Sequence, residues 1–483
     1  MTDTTTIQGV VTRGLKDCVA LAALLLCACA TPITPQMFTE ELAHRAIVVH
    51  KDGFAVGRHN EALDEAAFAE QWSGIVRAAE ETWSHVNGRI SDGRRRLVLF
   101  VHGGVNNYQD SFERVASINQ GQKNDAALAP YHFIFLNWDS NLLGSIGEDF
   151  FGIRGGERHE AAAVLTSPLS AARPLAESLL ASPELVWHEM AHGFSAIDVT
   201  TDDNWPGCLL AFSRHKDVSD SWRFGSLALQ VLGLPVRYGT SVVVKTLGTP
   251  AWDMMKRRAE LAFSPDPQAE GGGRAQGDGG PLGAALLLGR HLKRRLDNEW
   301  RDVDLTLVGH SMGAMIVNNL LMAFPEMRVK RIVYLGAAAS ITSVRQAVLP
   351  FLDRNQSVGT EFWSFSLSET RELLEYHAFD LYNRGSLLVW IDELFERVDT
   401  PAARVFGRAE NVRRYVARLV PAPMRRRLVK WDRGQADPKS HSDLAEVRFL
   451  AKSFSLMDGE EGVQCRVPVT DETRQRDHNA LIR

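Results

Sequence analysis

The sequence has no run of about 18 or more consecutive apolar residues, the length a bilayer-spanning helix needs, so a spanning segment is not expected. It also lacks an excess of basic charge. Lys and Arg total 54 against 59 Asp and Glu, a formal net charge of −5. That balance excludes both a broadly basic nucleic-acid binder and an acidic disordered chain. The runs Arg94-Arg95-Arg96 and Arg425-Arg426-Arg427 read as solvated surface. Cysteine is scarce, with five residues, and Cys18, Cys27 and Cys29 stand within the first thirty positions. Only Cys208 and Cys465 remain for the body, which excludes a disulfide framework and leaves room for one bridge. What is present is ordinary for a soluble globular protein: 45% apolar and 23% charged residues in a chain of 483. That length exceeds one average core and stops short of more than about three domains. No internal repeat is evident.

Residues Cys18 to Ala30 read CVALAALLLCACA after Arg13 and Lys16, an apolar run of signal-peptide length with small residues at its end. Leu26-Cys27-Ala28-Cys29 resembles a bacterial lipobox, in which a Leu stands three positions before the lipidated Cys. Residues 1–30 are therefore expected to be a leader, with Cys29 as the lipidation site and membrane attachment through that anchor. Ala30 directs the expectation towards the outer membrane of a bacterial envelope. A periplasmic product of plain secretion and an unprocessed cytoplasmic helix are the alternatives.

From about residue 94, short apolar runs alternate with amphipathic stretches, the pattern of a mostly parallel sheet with helices on both faces. Strands are expected at Leu97–Val101, Phe133–Trp138, Leu305–Val308, Arg331–Leu335, Phe362–Leu367 and Arg427–Trp431, and helices at Gln109–Ile118 and Leu282–Trp300. Pro281 suits the first turn of the latter. The long gap between Trp138 and Leu305 implies a large helical insertion over 140–280. Its last part, Gly271–Gly280 (GGGRAQGDGG), reads as a tether. The expected plan is a 31–93 N-terminal segment, a core over 94–139 and 281–455, the 140–280 lid or cap insertion, and a polar tail over 456–483.

Gly309-His310-Ser311-Met312-Gly313 matches G-x-S-x-G between the run LTLV and the apolar stretch Ala314–Phe324. A tight strand-to-helix turn of this kind exposes a Ser hydroxyl above a sheet, so Ser311 is the candidate nucleophile. Acyl transfer also needs N–H donors aimed at the developing oxyanion. The turn His102-Gly103-Gly104 after the first strand can offer the Gly104 N–H, and the residue after the nucleophile offers the Met312 N–H.

With VLFVHGGVNNYQDSFERV and LTLVGHSMGA in this order, the chain resembles the α/β-hydrolase superfamily, specifically bacterial serine esterase- or lipase-like hydrolases of uncharacterised function. The resemblance covers roughly 94–139 and 281–455. It implies a Ser–acid–His triad, with the His in a loop after the last strand and the acid after the strand FWSFSL. His441 fits the first requirement. Glu369 is closest to the second, with Glu372 and Asp380 as rivals. The expected activity is hydrolysis of a small-molecule or lipid carboxylic ester through an acyl-enzyme, with no cofactor, no metal and no nucleic-acid partner.

Two other readings stand beside it. His188-Glu189-Met190-Ala191-His192 is a literal H-E-x-x-H, the pattern of a zinc metallopeptidase, with Glu189 as general base. The third zinc ligand has no clear candidate, because Ser195 replaces the Gly of the extended motif and Asp198 its last His. A non-catalytic envelope lipoprotein that keeps a hydrolase fold for binding is the other.

Overall fold

A computed structural model describes residues 39–86, 94–103, 108–138, 145–146, 153–154, 157–158, 172–183, 185–186, 205, 208–210, 221–265, 281–375, 385–421, 424, 427–431, 438–459 and 465–466. The strands entering the main sheet are β1 (Ala46–Val49), β2 (Ala55–Val56), β3 (Arg95–Val101), β4 (Tyr131–Trp138), β5 (Cys208–Leu210), β6 (Val303–His310), β7 (Arg331–Leu335), β8 (Glu361–Ser366), β9 (Leu428–Trp431) and β10 (Cys465–Arg466). Their order is β10-β5-β9-β8-β7-β6-β3-β4-β1-β2. Every neighbouring pair is parallel except the two at the edges, β1 with β2 and β5 with β10.

Parallel strands need crossovers, and crossovers cover both faces, so central strands are buried on each side. All eight residues of β4 are buried, as are the last five of β3 and the last six of β6. The alternation of side chains then sorts the apolar residues into two cores. Leu97, Leu99 and Val101 face one core, together with helices α1 (Glu65–Val86), α4 (Ala284–Asp297), α5 (Gly313–Ala323) and α6 (Ile341–Arg354). Val98 and Phe100 face the other, closed by α2 (Tyr108–Asn124) and α7 (Val447–Asp458). An α/β architecture with a mostly parallel sheet, helices on both faces, is thus present. Among the described residues, no helix is long and apolar enough to cross a membrane.

Three features differ from the sequence reading. Residues 46–56 supply the sheet's β1–β2 edge, so the N-terminal segment belongs to the core. The 140–280 stretch is not wholly a cap. It contributes β5 to the sheet beside β9, and the end of its long helix α3 (Ser221–Leu261) packs Ala251, Trp252, Met255 and Ala259 into the first core. Lys245 and Thr249 of α3 bond the carbonyl of Leu394, and Lys256 pairs with Glu396. Arg96, third, the last of its basic run, is not solvated surface: half-buried beside Arg331, it shares Asp458 with that residue across the sheet.

Candidate active site

The sheet order contains one reversal that matters for chemistry. From β3 the chain moves outward to β4, whereas from β6 it moves the other way through β7 and β8 to β9. Crevices beyond the carboxyl ends of strands at such a switch point are where open α/β sheets bind ligands. Here the switch lies between β3, which ends at His102-Gly103, and β6, which runs into Ser311.

Ser311 has φ +53, one of two non-glycine residues with positive φ among the described residues. A left-handed conformation costs a residue with a Cβ roughly 1–2 kcal/mol, so the turn must be held from outside. It is. The Ser311 N–H donates to Leu335 O at 2.9 Å, and its carbonyl accepts from Ala338 N at 2.9 Å and Ala314 N at 3.2 Å. The outside anchors are the last residue of β7 and a residue three positions beyond it, so the β7 end and the β6 end share the work of forming the elbow. The Ser311 Oγ is buried and has no hydrogen-bond partner among the described residues. Met312 follows as the N-cap of α5, whose first-turn N–H groups have no helical acceptor.

The turn after β3 presses against this elbow. A methyl group on Gly103 would collide with the backbone of Met312 and His310, and one on Gly313 would collide with the Val101 carbonyl. His102 braces the same turn. Trp138 N–H donates to its Nε2 at 3.1 Å, and Trp138 Nε1 donates to its carbonyl at 2.7 Å. Burial, and secondarily the Arg114 charge, lowers the His102 pKa to about 3, so the ring stays a neutral brace. Gly104 lies outside the described residues.

His441 is buried at the start of the short helix Ser442–Ala445. Asp443 hooks this loop into shape, accepting from Lys439 N at 2.8 Å, Ser440 N at 3.2 Å and Ser440 Oγ at 2.6 Å. The His441 ring lies against Gly336, where an added Cβ would stand 2.6 Å from Cε1 and 2.8 Å from Nδ1. Gly336 is left-handed (φ +54) and follows directly on Leu335, the residue that holds Ser311. The end of β7 therefore brings Ser311 and His441 to one place. On another side of His441 stands His310, whose ring centroid is 5.1 Å away and tilted by 24°.

The acidic candidates separate. Glu369 is half-buried and pairs with Arg413 at 2.8 Å. Glu372 is fully buried, accepts from Ala409 N at 3.4 Å, and has its pKa pushed well above the usual range by burial, against the opposing charge of Arg408. Both anchor the short helix Glu369–Leu374 to the 385–413 segment. The carboxylate that meets His441 is Glu375, one residue past that helix, accepting the His441 N–H at 2.7 Å. Sequence reasoning passed over it. A signal was present, since Glu369, Glu372 and Glu375 recur every three residues, but nothing local says which of them turns inward. Asp380, Cys29 and the His188–His192 motif lie outside the described residues. Among the described residues no cluster of three or more His, Cys, Asp or Glu is arranged to hold a metal.

Comparison with protein-family models, with curated proteins and with solved structures finds no match for this chain.

Proposed function

We propose that the chain is a serine hydrolase on an α/β-hydrolase core, cleaving a carboxylic ester or a related acyl substrate. The observation that carries this reading is Ser311 itself: a buried, left-handed serine at the carboxyl end of a central parallel strand, opening a helix, with a histidine gathered beside it. In the proposed reaction His441 takes the hydroxyl proton as Oγ attacks the acyl carbon. The resulting oxyanion is held by the Met312 and Gly104 N–H groups. His441 returns the proton to the departing alcohol, and a water activated by the same ring releases the acid. The test is a fluorophosphonate probe. A covalent adduct on the wild type, absent in Ser311→Ala and competed by esters, supports the reading; no adduct together with no turnover of any ester sinks it.

Glu375 takes the acid's part in this proposal, ahead of Glu369 and Glu372, with Asp380 as its rival. Its support is the bond it accepts from the His441 main-chain N–H at 2.7 Å, which places its carboxylate against that residue. Burial pushes the Glu375 carboxyl up from 4.5 to about 7, partly offset by the His441 N–H bond. Because an ionised carboxylate is what steadies the imidazolium, turnover should rise as pH passes through about 7. Glu375→Gln should lower kcat by about a hundredfold. Stability moves the opposite way. The folded state holds the extra proton between pH 4.5 and about 7, so this group's contribution falls as pH rises through that window. Relative to wild type, the Gln variant should therefore melt higher at pH 8 than at pH 5; an equal difference at both pH values removes Glu375 from the scheme.

The part of the insertion that precedes β5 is proposed as a cap, supported by its departure from the sheet at the end of β4 and by the complete burial of Ser311. Helix 172–180 leans on α3, with Thr246 Oγ1 donating to Ser178 Oγ at 3.0 Å. Replacing residues 140–203 by a short linker should change the ranking of esters by chain length while Ser311 still reacts with a small probe. Unchanged relative rates in a folded deletion variant count against a cap.

A bacterial envelope location, lipid-anchored at Cys29, belongs to the same proposal. Its supports are the leader pattern and the disulfide bond at Cys208, a linkage that persists in oxidising compartments. Protein purified from its native host should begin at a diacylated Cys29, and a mass showing intact Met1 overturns this.

A further inference from the structure

We propose that His310 is a positioning residue for the general base: its Nε2–H ties the His441 main chain to the nucleophile strand while its ring backs the His441 imidazole. The inference rests on the assignment of Ser311 and His441 as nucleophile and base.

The elbow itself needs nothing from the side chain at position 310, since the turn depends on small neighbours and backbone bonds. A buried imidazole there carries a desolvation cost, and its Nδ1 has no hydrogen-bond partner among the described residues. The bond it does make spans 131 positions of sequence, from Nε2 to the carbonyl of His441 at 3.2 Å. A carbonyl only accepts, so Nε2 carries the proton and Nδ1 is bare. Burial first, then the charges of His441 and Arg114, holds this imidazole neutral, so the donor persists across the working pH range.

The His441 peptide groups are thus gripped on both sides: the N–H by Glu375 at 2.7 Å and the C=O by His310 at 3.2 Å. The ring between them is confined by His310 on one side and Gly336 on another. Because His310 is bonded to Ser311, any shift of the end of β6 carries nucleophile and clamp together. The two reacting groups keep their separation even if the sheet flexes, and displacements near 1 Å are what cost an enzyme about a hundredfold. The other charged and titratable groups near this pair are His102 and Arg114 beside His310, with Glu375 and Asp443 beside His441.

The experiment compares His310→Phe, which keeps a ring without a donor, with His310→Gln, whose amide nitrogen stands where Nε2 stood. On a small ester, His310→Phe should lower kcat by about 10–100-fold with KM within about twofold, and His310→Gln should recover most of that loss. His441 is followed in parallel by NMR of ring-labelled histidine, a readout that needs no substrate. Its titration midpoint should move by about half a unit or more in His310→Phe and return towards wild type in His310→Gln. Wild-type kcat and midpoint in His310→Phe overturn the clamp. Equal impairment of both variants also overturns it, since a packing role alone would produce that. If His310→Phe does not fold, His310→Asn replaces it, because its amide stops at the Nδ1 position. Should the wild type neither label nor turn over any ester, the hydrolase reading fails by itself, and the titration still decides whether His310 governs His441.

Discussion

Exchange of Ser311 or His441 for alanine is expected to lower ester hydrolysis by about a thousandfold or more while the fold survives. Survival follows from what each side chain does structurally. The Ser311 Oγ makes no hydrogen bond among the described residues, and alanine meets the same left-handed strain that serine already bears. The His441 loop is held through its backbone and through Asp443, so removing the imidazole leaves those ties in place. Turnover and thermal melting measured together check the expectation. A folded variant that retains near-wild-type rates takes its residue out of the mechanism. Members of a triad act as one unit, so if the proposed roles hold, the double substitution should cost little more than either single one.

Gly313→Ala is expected to be the most damaging conservative change in the core. The new methyl would fall on the carbonyl of Val101, 2.8 Å from its carbon, and neither side can yield cheaply. Val101 is locked in register with Gly309 across the β3–β6 pair, so relief requires parting the two central strands at the switch point. A loss of about 3 kcal/mol is expected, read as a lower urea midpoint at unchanged slope. Activity should fall further than stability, because the same displacement separates the turn after β3 from the elbow. A loss below about 1 kcal/mol with full activity would show that the two turns are not interlocked.

Much of the sheet is legible in the sequence because its strands are buried on both faces. LVLFV, FIFLNW and LTLV stand out as continuous apolar runs, and they became β3, β4 and β6 with a few residues added at the ends. Shorter or edge strands carry a weaker signal. The AIVV run of β1 and its KDG turn were there to be read as a hairpin with β2, yet they lie far upstream of the motifs that organise the eye. The three residues of β5 have no local signature at all; only their partner β9, distant in sequence, makes them a strand. The same logic separates the site residues. Ser311 is legible because strand, glycines and helix surround it in sequence. The carboxylate facing His441 is not, since the orientation of Glu369, Glu372 and Glu375 is decided by Arg413, Ala409 and His441, all distant along the chain.

The place of β5 has a consequence for how the chain acquires its shape. Made early, it waits through roughly 200 further residues of synthesis before β9, the strand it lies against, exists. Loop closure over such a span is slow, and an unpaired strand edge invites wrong partners in the meantime. β4 finds β1 and β3 already made, and β6 then finds β3, so these four can assemble first. Folding is then expected to end with the arrival of β9 between β8 and β5, the docking of the loop that carries His441 and the pairing of β10 with β5. A chain released early by a truncation before residue 428 would hold the Ser311 turn and lack His441, so under the proposed function the capacity for chemistry arises only once nearly the whole polypeptide has been made.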